Sequence, residues 1–175
     1  MKSLFHYLIP DLICDSVRQI PFEAFEKQGV RLVIFDIDNT LVSYETPIPD
    51  DALREFLLSF EKRGVRVALV SNNSPERVEI FNRSLGFFVV SDAHKPLKRA
   101  LKPVFEHFSI PSDQVLLVGD QLLTDVFAAR LFGIRAVLVS PIQPKENSFF
   151  RFKRFLEKPF IWAYYRKKTG EEENV

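Results

Sequence analysis

The chain has 175 residues, of which 46% are apolar and 27% charged, with a formal net charge of +1. That length fits one domain with a sizeable core plus terminal extensions, and that balance excludes a disordered or fibrous chain. A net charge so close to zero excludes the global electrostatic footprint of a nucleic-acid binder, so no nucleic-acid partner is expected.

Residues 1–28 read as an N-terminal extension that packs on the core. The opening run Met1–Pro10 has one early lysine and a short apolar stretch but no small-residue cleavage pattern, and charges interrupt every longer apolar stretch of the chain. Neither secretion nor a spanning helix is predicted. Cys14 is the only cysteine, so no intramolecular disulfide can form, and a reducing, cytoplasmic setting is expected.

The domain proper is predicted over residues 29–142. Leu32-Val33-Ile34-Phe35 is a short apolar run that reads as a strand buried on both faces. Residues 50–63 carry Leu53, Phe56, Leu57 and Phe60 at helical spacing, and Gly64 follows as a stop. Val65 to Val70 reads as the next strand. Ser74-Pro75 then offers an N-cap and a first-turn proline for a helix carrying Val78, Phe81 and Leu85, ended by Gly86.

The alternation continues with a strand from Phe87 to Val90 and a helix from about Pro96 to Phe108, in which Pro103 predicts a kink or a later start. A strand from Val115 to Val118, a helix from about Thr124 to Phe132 and a strand from Arg135 to Val139 complete it. Strands alternating with amphipathic helices imply right-handed crossovers. The fold class is therefore α/β: a doubly wound, Rossmann-like parallel sheet of about five strands with helices on both faces.

In such sheets ligands bind beyond the carboxyl ends of the strands, and the polar clusters of this chain fall at those ends. Asp36-Ile37-Asp38-Asn39-Thr40 follows the first strand, Ser71-Asn72 the second, Lys95 lies past the third, and Gly119-Asp120 leads to Asp125 after the fourth. Two carboxylates one residue apart raise each other's pKa unless a proton is shared or a cation is bound. Together the clusters offer acceptors for a hard divalent metal and donors for a phosphate.

This ordered set resembles the haloacid dehalogenase superfamily, with its DxDx[TV] opening, a Ser/Thr, a Lys and a closing acidic pair. The resemblance implies a phosphatase in which Asp36 is the nucleophile, Asp38 the general acid and base, and Ser71, Asn72 and Lys95 hold and neutralise the phosphoryl group. It further implies Mg2+ held by Asp36, Asp38 and Asp120, with Thr40 and Asp125 in support. His94 is not needed by that scheme, and His6 and His107 read as structural.

Many members of the superfamily carry a cap domain after the first motif or between the second and third. Neither interval here has room for one, so the site is expected to be open. The DxDNTL opening, the GDQLLTD motif and Leu8-Ile9-Pro10-Asp11-Leu12 resemble the capless YqeG-type family, which is similar to phosphatidylglycerophosphate phosphatases of mitochondria and plastids. A phosphorylated small molecule or a phospholipid headgroup is the implied partner. A soluble phosphatase for a sugar phosphate, nucleotide or phosphoprotein, and a non-catalytic scaffold, are the alternative readings.

Residues 143–175 form a C-terminal extension in which Phe149, Phe150, Phe152, Phe155, Phe160, Trp162, Tyr164 and Tyr165 interleave with Arg151, Lys153, Arg154, Lys158, Arg166, Lys167 and Lys168. Rings among basic groups suit the surface of an anionic membrane, which predicts a peripheral anchor on its inner face. The competing expectation is a helix that packs Phe152, Phe155 and Leu156 onto the domain, with Pro159 breaking the segment.

Overall fold

A computed structural model describes residues 7–143 and 155–166. Six parallel strands form one sheet: β1 (Leu12–Cys14), β2 (Leu32–Phe35), β3 (Arg66–Val70), β4 (Phe88–Val90), β5 (Val115–Gly119) and β6 (Arg135–Val139), in the order β1-β6-β5-β2-β3-β4. Five are the strands expected from the apolar runs. The sixth, β1, comes from the N-terminal segment and pairs Leu12, Ile13 and Cys14 with Val137, Leu138 and Val139.

Because successive strand residues face opposite sides, the sheet has two apolar faces. Val33, Phe35, Val67, Leu69, Leu116 and Val118 face one core layer, whereas Leu32, Ile34, Ala68, Val70, Val115 and Leu117 face the other. Helices α1 (Phe22–Lys27), α2 (Asp51–Lys62) and α3 (Pro75–Asn82) cover the first face through Phe22, Leu53, Leu57, Phe60, Val78 and Phe81. Helices α4 (Lys102–Phe108) and α5 (Phe127–Leu131) cover the second through Val104, Ala128 and Ala129.

Local chemistry sets where these helices begin. The Asp50 carboxylate accepts from the Leu53 N–H at 2.7 Å and starts α2. Ser74 caps α3, with Pro75 in its first turn. Pro103 has the same effect on α4: a 3-10 turn at Lys98–Ala100 comes first and the α-helix starts only at Lys102. Gly64 and Gly86 follow their helices at φ of 78° and 71°, where a side chain would be strained.

A C-terminal helix, α6, spans residues 155–166. It docks on the second face through Phe160 and Ile161, with Glu157 and Tyr164 buried. The expectation that Phe155 and Leu156 supply the docking face is corrected: they are 65% and 42% exposed. Nor does Pro159 break the segment, because burial at 157, 160, 161 and 164 holds the helix together across it. Phe149, Phe150, Phe152 and the basic residues other than Lys158 and Arg166 lie outside the described residues, as does His6. No helix among the described residues is long and apolar enough to cross a membrane.

The connections run one way from β2 through β3 to β4, then return across β2 to β5 and on to β6. The strand order therefore reverses between β2 and β5, and the crevice at their carboxyl ends is the topological switch point. Asp36 directly follows β2 and Asp120 directly follows β5.

Candidate active site

Asp36 lies on the floor of this crevice. Lys95 Nζ pairs with its Oδ1 at 2.6 Å, and the Thr40 hydroxyl donates to its Oδ2 at 3.1 Å. The same ammonium donates to the Val70 carbonyl at 2.7 Å and pairs with Asp125 Oδ1 at 2.6 Å. The ammonium is therefore ringed by three oxygens, two through hydrogen bonds and one through an ion pair, in a site where its side chain is 2% exposed.

Burial pushes Asp36 up to about 6, against the pull of Lys95 and with the push of Asp125 and Asp38. Burial alone would lower Lys95, but Asp125 and Asp36 outweigh it and hold the ammonium charged above its ordinary range. Lys95 is not left unpaired here, since it faces two carboxylates and an unpaired buried charge is far costlier than a hydrogen-bonded pair.

Asp125 is a supporting residue by geometry. Its Oδ1 holds Lys95, and its Oδ2 accepts from the Gln121 N–H at 3.1 Å and the Thr124 hydroxyl at 3.4 Å. That return bond belongs to a π-helical turn at Leu122–Val126, which leads into α5. A Cβ at position 119 would collide with the Asp125 side chain, so the close approach requires Gly119. Buried Asp120 lies between them, beside the Gln121 side-chain amide.

Asp38 is held at both oxygens: Oδ1 accepts from Arg77 at 2.9 Å and Oδ2 from the Asn73 side chain at 3.1 Å. Ser71 Oγ accepts from the Asn73 N–H at 3.0 Å, joining the serine to the same network. Asn72 faces differently from a phosphate-binding side chain. Its Oδ1 accepts from the Lys95 N–H at 2.7 Å and its Nδ2 donates to the Lys95 carbonyl at 3.2 Å. The side chain thus fixes the lysine backbone.

Asp36, Asp38, Ser71, Asn72, Asn73 and Lys95 line a polar cleft of about 150 Å³ that also takes in Tyr44, Gln121 and Thr124. Burial raises the Tyr44 phenol, reinforced by Asp120, Asp36, Asp38 and Asp125, which places all four carboxylates around one space. A larger cavity of about 690 Å³ beside the Thr40–Val42 turn is reached by none of Asp36, Asp38, Ser71 and Lys95, and its lining mixes apolar groups such as Ile48, Leu53 and Ile142 with polar ones such as Asp15, Arg18 and Asp50.

A sequence profile of the family described as mitochondrial PGP phosphatase matches residues 3–143, the stretch that contains every one of these side chains. The chain belongs to that family. It is a capless phosphatase of the haloacid dehalogenase type. It is 30% identical over 92% of its length to a protein of Bacillus subtilis described as a probable phosphatase, YqeG, and covers 94% of that protein. It is 28% identical over 81% of its length to the chloroplastic phosphatidylglycerophosphate phosphatase 1 of Chlamydomonas reinhardtii, of which it spans 56%. Among solved structures, the phosphatase-domain part of BF1531 from Bacteroides fragilis, complexed with Mg, superposes with a TM-score of 0.52 at 16% identity over 75% of this chain and 42% of that one, and shows the fold.

In this phosphatase every residue expected from the sequence motifs converges on one cleft or supports it. Among the described residues no three carboxylates or imidazoles close into a metal cage by themselves. The donor set still suits magnesium, which keeps waters and takes few carboxylates. Asp36, Asp38, Asp120 and Asp125 outnumber the cations Lys95 and Arg77 that pair within the cleft, so a divalent ion would balance the charge. His94 is outside the cleft lining, and His107 stacks on Phe88 at 4.1 Å, a structural role. Tyr44, Asn73, Arg77 and Glu157 were not singled out from sequence. For Asn73 a signal existed, its place in the polar run that closes β3.

Proposed function

We propose that this phosphatase hydrolyses phosphate monoesters with magnesium through an aspartyl-phosphate on Asp36, and that its substrate is a phospholipid headgroup of the phosphatidylglycerophosphate kind, met at an anionic membrane surface. The observation that carries the chemistry is the Asp36 carboxylate, held between Lys95 and Thr40 at the base of an open cleft with Asp38 beside it.

In this reading an Asp36 oxygen attacks phosphorus, forming an acyl phosphate as the bond from phosphorus to the alcohol oxygen breaks. Asp38 gives its proton to the departing oxygen. It then takes a proton from the water that attacks the acyl phosphate, which releases inorganic phosphate and restores Asp36. The Ser71 hydroxyl and the Asn72 N–H hold phosphoryl oxygens, and the Lys95 ammonium offsets their charge while restraining Asp36. Magnesium, held by Asp36, the Asp38 carbonyl and Asp120, would supply further neutralisation of the phosphoryl oxygens.

Two observations support the lipid. No additional domain among the described residues closes the cleft, so the headgroup of a membrane-embedded molecule can enter. Helix α6 starts beside the site, where Glu157 accepts from the N–H of Leu122, and turns Phe155, Trp162 and Tyr165 to the exterior. The relatives described as phosphatidylglycerophosphate phosphatases point the same way.

The test is phosphate release from phosphatidylglycerophosphate vesicles, a soluble sugar phosphate and p-nitrophenyl phosphate, with magnesium or excess chelator, for wild type and Asp36→Asn. The expected result is magnesium-dependent release, strongest on the vesicles and lower by about 1,000-fold or more in the variant, the scale of losing the covalent route. Equal or better turnover of the soluble esters would transfer the assignment to a soluble substrate. Full activity of Asp36→Asn would overturn the nucleophile.

A further inference from the structure

Arg77 has no part in the scheme above, yet it is among the most heavily bonded side chains near the cleft. It occupies the first turn of α3, where the Ser74 hydroxyl accepts from its backbone N–H at 3.4 Å and Pro75 fixes the helix start. From there the side chain crosses to residues thirty or more positions earlier. Nη2 donates to Asp38 Oδ1 at 2.9 Å and to the Thr46 carbonyl at 2.8 Å, and Nη1 donates to the Pro47 carbonyl at 3.0 Å.

The guanidinium stands over the Phe81 ring, 5.8 Å from its centroid, and the side chain is 15% exposed. Its Nε is buried with no hydrogen-bond partner. A buried donor left unsatisfied has a cost, so the position is held by what the other two nitrogens reach. The planar fork reaches the three acceptors through two separate nitrogens, whereas a lysine ammonium is a point charge on a flexible stem.

We propose that Arg77 is the positioning residue of Asp38, and that the same guanidinium couples that carboxylate to the Ser43–Pro49 loop carrying Tyr44 over the cleft. The inference rests on the reading of Asp38 as acid and base. With Oδ1 fixed by Arg77, the carboxyl group cannot turn freely, and Oδ2 is the oxygen left to exchange a proton once the Asn73 amide gives way to substrate. The two carbonyl bonds tie the loop to the same point, so the loop's position and the placement of the acid/base depend on one side chain.

Leaving-group dependence separates this role from general support. An alkyl phosphate needs a proton on its departing oxygen, whereas 2,4-dinitrophenyl phosphate does not. In Arg77→Ala, kcat/KM for a soluble alkyl phosphate is expected to fall by about 100-fold, within the range of a lost general acid, and for the dinitrophenyl ester by less than about tenfold. The kcat values should fall for both esters, because water attack on the acyl phosphate uses Asp38 whichever alcohol has left.

Arg77→Lys, which keeps the charge and a folded α3 start, should fall between wild type and Arg77→Ala with the same split. Thermal melts of both variants establish that each is folded at the assay temperature, and Arg77→Lys alone carries the test if Arg77→Ala is not. Losses of equal size on the two esters, or none, would overturn the positioning role. Asp38→Asn serves as the reference: if it lacks the leaving-group split, the acid/base reading itself fails, and if it shows the split while both Arg77 variants do not, the positioning role alone fails.

Discussion

Asp36 shows how a site of this kind bears on stability as well as chemistry. Its value in the folded protein is about 6 against an ordinary 3.8, so the folded state holds this proton more tightly than the unfolded chain. Asp36 is therefore neutral in its effect on folding below the ordinary value. It becomes destabilising as pH rises through about 6. In chelator, Asp36→Asn should melt several degrees above wild type at pH 8, with the advantage shrinking toward zero at pH 4. A constant difference across that range would show that burial does not raise this carboxyl. Asp36, Lys95 and the closing acids were legible because each follows an apolar strand, and strand ends in a parallel sheet converge. Arg77 was not, because 39 positions separate it from Asp38 and only the packing of α3 brings them together. Tyr44 likewise owes its place to the path of a loop, which carries no periodic signal. Asn72 was assigned to phosphate from its position, whereas its side chain satisfies both polar groups of the Lys95 backbone.

At the scale of elements, the strands and the long helices followed from apolar periodicity and capping, and the departures have local causes. The helix expected from about Thr124 opens two residues early as a π-helical turn, because Asp125 turns back to the Gln121 N–H and to Lys95. Such turns recur at functional sites. Strand β1 is three residues long, too short for alternation to identify it, and is fixed instead by β6 and by Asp11, whose side chain accepts from the Ala136 N–H at 2.7 Å. Helix α6 reaches the same end of the sheet. Fully buried Glu157 accepts from the Leu122 N–H at 3.1 Å, in the turn between Asp120 and Asp125. Removing that acceptor leaves a buried donor facing an apolar cavity. Glu157→Ala should therefore cost about 2 kcal/mol in denaturant unfolding, while Glu157→Gln, which keeps an acceptor oxygen, should cost less. The displaced turn should also raise the magnesium concentration needed for half-maximal thermal stabilisation. If Glu157→Ala unfolds like wild type with the same magnesium dependence, α6 does not support the metal loop.

For the whole molecule, α6 has two faces, and among the described residues one of them packs on the sheet. Phe160, Ile161, Glu157 and Tyr164 turn inward, with the Tyr164 hydroxyl 3.4 Å from the Ile13 N–H on the edge strand. Phe155, Trp162 and Tyr165 turn outward, 65%, 62% and 52% exposed, beside exposed Lys158 and Arg166, whose guanidinium lies 4.7 Å from the Trp162 ring centroid. Because the net charge of the chain is only +1, attraction to an anionic bilayer has to come from a local patch, at about 1 kcal/mol for each basic residue near the surface. The rings add apolar contact at headgroup depth. Binding should accordingly need both parts: anionic vesicles should retain the protein at low salt, zwitterionic vesicles should not, and added salt should weaken retention. Trp162→Glu combined with Phe155→Ser removes rings that are exposed among the described residues, so it should leave the melting temperature unchanged and reduce partition to anionic vesicles by tenfold or more. Turnover of a vesicle-borne phosphate ester should fall with partition, as the proposed headgroup substrate requires. Unchanged, salt-insensitive partition of the double variant would place the membrane contact elsewhere and leave the outward face of α6 without that role.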